Sequence, residues 1–377
     1  MKYLFLTGML RSGTTLLDKL LCNHPQLSVL SQPFPYLFIQ AKRDFLRQEC
    51  GEDEYYALTH GFLETRYTLD QFHRFLQDYT LTPHQVERLF IAMEGYTGQN
   101  TRLDRLSDFI DHLTKGVWLH IFKAFLYFFR QKGKSVEYVG SKEVLCEEFL
   151  PFLLDQGFKC LIVIRDPRDV LTSMGYGNGK TYIGSARPTL FNLRNWRKSV
   201  AYALHLQHHP NFVWVRYEDI VAKPVEMLNR LANWLEIASF PSDLFQAGIL
   251  DQNGEPWMGN SSFQPVAGVT PQSVGKYQAL LPPDLIQYTE YTCFPEMLAL
   301  EYPLMYPDIK TSYDPRSFTE PVSIQRAHFS LNYSTDPVHV AQEQTRIQLL
   351  CNESELLPHH TAYFLFEDVF YTLKSVL

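Results

Sequence analysis

Residues 6–17, LTGMLRSGTTLL, constrain this chain more than any other stretch. The apolar run KYLFLTG reads as a buried strand, Gly8 and Gly13 allow a tight turn, and Leu16, Leu17, Leu20 and Leu21 recur on one helical face. The CNHP segment, with Pro25, ends that helix. In such a strand–turn–helix the amides of residues 12–15 point into the turn at a helix N-terminus, which carries roughly half a positive charge. The loop therefore reads as an anion site.

The rest of the chain supplies the fold around it. VEYVGSK, KCLIVIRD and FVWVRYED are further short apolar runs suited to strands covered on both faces. LRNWRKSVAYAL and VEMLNRLANWL space their apolar residues as sheet-covering helices do. The expected class is α/β: a mostly parallel β-sheet flanked by helices, a P-loop-like three-layer sandwich. Residues 45–130 lack a convincing strand and show helical patterns at Val86, Leu89, Phe90 and Met93 and at Leu103, Leu106, Ile110 and Leu113, which predicts a helical cap. Residues 240–277, rich in Gly, Pro, Ser and Gln, read as a long loop. We expect one domain over 1–307 and a C-terminal extension over 308–377, the latter with an alternating Phe329, Leu331, Tyr333 pattern and an amphipathic run from Ala362 to Leu377.

A net charge of -7 without a long basic run argues against a nucleic-acid-coating role. No apolar stretch approaches the roughly 20 residues of a membrane-spanning helix. MKYLFLTG is also too short an apolar run for a signal peptide, so the expected location is cytoplasmic. Cys22, Cys50, Cys146, Cys160, Cys293 and Cys351 are scattered without metal-ligand spacing and read as mostly buried thiols. The composition leaves oligomeric state open.

An ATPase loop carries a lysine where this chain has Thr14, and here the positive charge moves to Arg11. A ligand with one 5′ phosphate and one further charged group fits better than a triphosphate. The run LIVIRDPRDVLTSM leaves a strand at Arg165, turns at Pro167 and carries Ser173 on the following helix, so arginine and hydroxyl can converge on a second phosphate. Asp166 and Arg168 are expected to stabilise the turn.

In order and in wording, these two runs resemble the sulfotransferases that use 3′-phosphoadenosine 5′-phosphosulfate (PAPS). The resemblance implies that Arg11, Ser12, Gly13, Thr14 and Thr15 hold the 5′ phosphosulfate and that Arg165 and Ser173 hold the 3′ phosphate. VRYEDIVAKP is similar to the family's segment beside the adenine, which implicates Tyr217. SVGKYQALL is similar to its closing segment, which implicates Lys276 near the phosphates. The implied reaction moves a sulfuryl group from PAPS to a hydroxyl or amine acceptor and releases 3′,5′-ADP, with no metal required. The resemblance spans about residues 1–305, and the cap is matched in position only.

Sulfuryl transfer is helped by positive charge around the moving group and by a base for the acceptor's proton. Lys142, at the end of VEYVGSK, resembles the family lysine at the bridging oxygen. The familiar base positions hold Gln32 and Val144, neither of which takes a proton. Glu143 and His120 remain as candidate bases, and Gln32 as a residue that positions the acceptor by hydrogen bonding. Tyr and Phe in the cap and in GYGNGKTYIGSARPTLF suit a small acceptor with an apolar or aromatic part. Two other readings stand beside this one. A P-loop kinase or NTPase would use Asp166 for magnesium, and a catalytically inactive 3′-phosphonucleotide-binding protein would explain Gln32 and Val144.

Overall fold

A computed structural model of the chain describes all residues except 55, 93–104, 132–134, 177–184, 186, 260–267, 322–328, 331 and 353–354. Met93, Leu103, Leu331 and most of the aromatic loop after residue 176 fall among the latter.

The four apolar runs form strands, and a fifth strand joins them. β1 (Lys2–Thr7), β2 (Leu27–Ser31), β5 (Tyr138–Lys142), β6 (Phe158–Ile164) and β7 (Phe212–Arg216) make one sheet of order β2-β5-β1-β6-β7. Every neighbouring pair is parallel. β3 (Thr80–Leu81) and β4 (Gly116–Val117) form a separate antiparallel pair in the cap. β2 lies on the short LSVLS run, unremarked in the sequence reading, where two serines interrupt the apolar pattern.

Alternation along the strands builds a core on each face of the sheet. Leu4, Leu6, Val29, Leu161 and Val163 pack on one face with α1 (Thr14–Cys22), α10 (Tyr217–Ala222) and α11 (Pro224–Leu235). Phe5, Leu30, Val139, Cys160 and Ile162 face the other way. They meet α2 (Pro35–Cys50), α6 (Trp118–Phe128), α8 (Pro167–Gly175) and α9 (Thr189–Leu206). The result is the three-layer α/β architecture expected. The cap also carries α3 (Leu69–Asp78), α4 (Pro83–Ala92) and α5 (Leu106–Asp111). Its α6 closes on the sheet through Phe122, whose ring meets Phe5 and Phe158 at 6.2 and 6.0 Å.

α14 (Pro283–Ala299) packs on α9, and the extension is wrapped over both. Phe364, Val369, Phe370 and Leu373 join the main core cluster. A buried charge network ties the extension down: Arg194 and Arg197 donate to Glu343 at 2.8 and 2.5 Å, and Arg346 and Arg197 both meet Glu296. These three arginines hold the Glu343 carboxyl down to about 2 against the opposing effect of burial. Among the described residues, the extension is helical and no helix is long and apolar enough to cross a membrane.

Candidate active site

Because the five strands run parallel, their carboxyl ends share one edge, and the chain reverses its direction of sheet growth at β1. Such a switch point is where open α/β sheets bind ligands. The glycine loop follows β1, Gln32 follows β2, Lys142 ends β5, Arg165 follows β6 and Tyr217 follows β7. All five therefore converge at that edge.

The loop's conformation requires its glycines. Gly8 has φ +150°, and a Cβ there would lie 2.6 Å from the Val163 carbonyl oxygen. Gly13 has φ +93°, and a Cβ there would lie 2.2 Å from Cδ2 of Tyr217. Gly13 also precedes α1 without a side-chain cap, which leaves the first-turn amides pointing out of the helix. The Ser12 hydroxyl is buried and makes no hydrogen bond among the described residues.

The two phosphate motifs, 162 residues apart, meet directly: Arg11 Nε donates to Ser173 Oγ at 3.0 Å. Arg165 donates from Nη1 to the Arg11 carbonyl at 3.2 Å and from Nη2 to the Ser273 carbonyl, and its guanidinium lies 4.6 Å from the Tyr217 ring centre. Its Nε is buried and has no hydrogen-bond partner among the described residues. Burial and the neighbouring Arg165 together push Arg11 below its ordinary range. This crowding of cations suits an anion. Lys276 belongs to the same electrostatic neighbourhood, since burial and Arg165 lower it while Asp169 raises it.

Lys142 is fully buried, and its ammonium donates to Gln32 Oε1 at 2.9 Å and to Thr15 Oγ1 at 3.4 Å. Asp18, from the same face of α1, places Oδ2 3.6 Å from the ammonium and accepts from Ser31 Oγ at 2.7 Å. Burial lowers the Lys142 pKa, and Asp18 opposes that effect. Sequence reading missed Asp18, although a carboxylate between Leu17 and Leu20 on a sheet-packed helix was a visible anomaly.

Glu143 turns to the other side of the strand. Its Oε1 accepts from the Phe34 amide at 3.1 Å, and its buried Oε2 makes no hydrogen bond among the described residues. Burial pushes this carboxyl up to about 8. His120 lies exposed on α6, and no hydrogen bond or ion pair joins it to the Lys142 cluster among the described contacts. Its expected part as a base is not supported by that position. Asp166 and Arg168 serve the turn as expected: Arg168 Nε donates to Asp166 at 2.9 Å, and Arg168 also reaches Glu290.

The sequence model of the sulfotransferase family matches residues 4–242, and the chain belongs to that family. It is a transferase of the sulfuryl group. A search of curated proteins finds no match. Among solved structures, the chain is similar to the sulfotransferase domain from the curacin biosynthetic pathway, at 16% identity over 75% of this chain and 93% of that one, with a TM-score of 0.41. It is also similar to a sulfotransferase from Alicyclobacillus acidocaldarius, at 14% identity over 80% and 94% with a TM-score of 0.38. A third likeness is to retinol dehydratase in complex with androsterone and inactive cofactor PAP, at 15% identity over 82% and 84% with a TM-score of 0.36. The family assignment rests on the sequence match.

Proposed function

We propose that the chain transfers a sulfuryl group from PAPS to a hydroxyl or amine of a small acceptor. The observation that carries this reading is the hydrogen bond between Arg11 and Ser173, which brings the two runs read from the sequence as anion sites together, so that a nucleotide with separate 5′ and 3′ phosphates would span both. The residues present fit such a ligand. The first-turn amides of α1, with Ser12, Gly13, Thr14 and Thr15, face the 5′ side. Arg165 Nε, Ser173 and Lys276 serve the 3′ phosphate, and Tyr217 lies against the loop at Gly13 where the adenosine would rest.

When bound, PAPS supplies an activated sulfur. The acceptor oxygen or nitrogen bonds to that sulfur as the bond to the phosphate's bridging oxygen breaks, leaving 3′,5′-ADP. The Lys142 ammonium stabilises negative charge growing on the bridging oxygen, which is worth most in a buried site. Gln32, hydrogen-bonded to Lys142, orients the ammonium and the acceptor together. The scheme also needs a group to take the acceptor's proton; Glu143, whose carboxyl burial pushes up to about 8, is the candidate carried from the sequence, and its side chain would have to leave the Phe34 amide to reach the Lys142 side. No step calls for a metal. The unbridged thiols, four of them buried, support a reducing, cytoplasmic setting.

Calorimetry with 3′,5′-ADP against ATP-magnesium tests the nucleotide assignment. Selective, metal-independent binding of 3′,5′-ADP supports it, and preference for ATP-magnesium returns the chain to phosphoryl chemistry. A radiolabelled PAPS assay over a panel of phenols, aliphatic alcohols and amines then tests turnover; tight nucleotide binding with no transfer to any of them would favour an inactive binding protein.

A further inference from the structure

We propose that Asp169 is a positioning residue that latches the segment 273–277 over the second phosphate, so that discrimination for a 3′-phosphorylated nucleotide depends on it. The inference rests on the nucleotide reading above.

Asp169 lies on the first turn of α8, four residues after Arg165, and is 1% exposed. Its two carboxylate oxygens are committed to one distant strip of backbone: Oδ2 accepts from the Gly275 amide at 2.7 Å and Oδ1 from the Tyr277 amide at 3.1 Å. Lys276 sits between those two amides. Arg165 grips the same strip from the other side through the Ser273 carbonyl and comes within 3.9 Å of Asp169. The strip closes the Gly-, Pro- and Ser-rich stretch, linking a 3-10 turn (Pro271–Ser273) to a short helix (Tyr277–Leu280), and Gly275 adopts φ +72°. Its own hydrogen bonds are local, such as Val274 N to the Pro271 carbonyl and Gln278 N to the Gly275 carbonyl, so they shape the strip, while the Asp169 carboxylate gripping two amides, with Arg165 at Ser273, ties it to α8.

The arrangement separates two tasks. Arg165 Nε makes no hydrogen bond among the described residues and is the donor not committed to the loop, while its Nη2 and the Asp169 carboxylate hold the loop. Without the latch, Lys276 loses its fixed distance from Arg165 and Ser173, and the second phosphate loses one cation. The 5′ side, built on α1 and β1, has no contact with Asp169 among the described hydrogen bonds.

The test is calorimetry of Asp169→Asn, Lys276→Ala and the double variant with 3′,5′-ADP and with 5′-AMP. Asp169→Asn should weaken 3′,5′-ADP by about tenfold, the loss of roughly one charge-assisted hydrogen bond, and 5′-AMP by less than about twofold. On a Lys276→Ala background the Asp169→Asn effect should largely disappear. Faster amide exchange at Gly275 and Tyr277 in the nucleotide-free variant reads the latch without ligand, and a matching melting temperature separates it from general loss of fold. Equal weakening of both nucleotides, or full effect in the Lys276→Ala background, overturns the latch. Should Asp169→Asn fail to fold, Lys276→Ala alone still decides: unchanged preference for 3′,5′-ADP overturns the proposal. Failure of the wild-type protein to prefer 3′,5′-ADP at all would instead refute the nucleotide reading.

Discussion

Gly13→Ala is the substitution that bears most directly on the site. A Cβ there would sit 2.2, 2.9 and 3.2 Å from Cδ2, Cε2 and Cγ of Tyr217, so the ring or the loop must move. A moved ring gives up its contact with the Arg165 guanidinium, 4.6 Å from the ring centre, worth about 0.5–2 kcal/mol. The left-handed φ of +93° adds strain on the order of 1–3 kcal/mol for a residue with a side chain. Together the loss of stability should come to about 1.5–5 kcal/mol by these magnitudes. Gly51→Ala serves as the control, because φ is +71° there but nothing lies within 4 Å of the added carbon. Urea unfolding of both variants separates strain from collision, and calorimetry with 3′,5′-ADP should show at least about a tenfold weaker complex for Gly13→Ala alone. If Gly13→Ala is no less stable than Gly51→Ala and binds the nucleotide as the parent does, the close approach of loop and ring has no part in the site.

Asp18→Asn removes the carboxylate that opposes the depressed pKa of Lys142, so the ammonium should lose its proton at lower pH and the alkaline limb of the kcat profile should move toward neutrality; an unmoved limb would show that Lys142 does not act as a charged group. Lys142→Ala should reduce kcat far more than nucleotide affinity, and equal losses in both would contradict a role in the transition state. Glu143→Gln should abolish an acidic limb near pH 8 and most turnover, since the carboxyl titrates at about 8; a retained limb assigns the base elsewhere. For Glu343, the folded pKa of about 2 lies below the ordinary carboxylate value, so its contribution is present above about pH 4.3 and is lost as the pH falls toward 2. Glu343→Gln should cost on the order of 3–5 kcal/mol at neutral pH by leaving buried arginines uncompensated, and should flatten acid unfolding in that window; a thermal midpoint within a degree of the parent would show the network to be dispensable.

The class of fold was legible because it depends on local patterning. Four runs of consecutive apolar residues became four of the five strands of the main sheet, and the leucine periodicity after Gly13 became α1. The glycine turn was legible for the same reason: a turn between strand and helix carries its amides with it wherever the helix packs. β2 was not, because LSVLS is short and breaks its apolar pattern with Ser28 and Ser31, one of which binds Asp18.

What remained out of reach was the company each residue keeps. Lys142 and Gln32 are 110 residues apart, and only the parallel register of β2 on β5, which sets Ser31 beside Lys142, brings them within hydrogen-bonding distance. Asp169 and the amides of Gly275 and Tyr277 are separated by more than a hundred residues, and their contact depends on where α8 and the segment leading into the short helix Tyr277–Leu280 come to rest. Sequence determined which elements form and which chemical groups stand at their ends, since propensity and periodicity act over a few residues. Tertiary structure decided which charges lose water together, and with that the pKa of Lys142 and Glu143, because desolvation and Coulomb interaction depend on distances that no local pattern encodes.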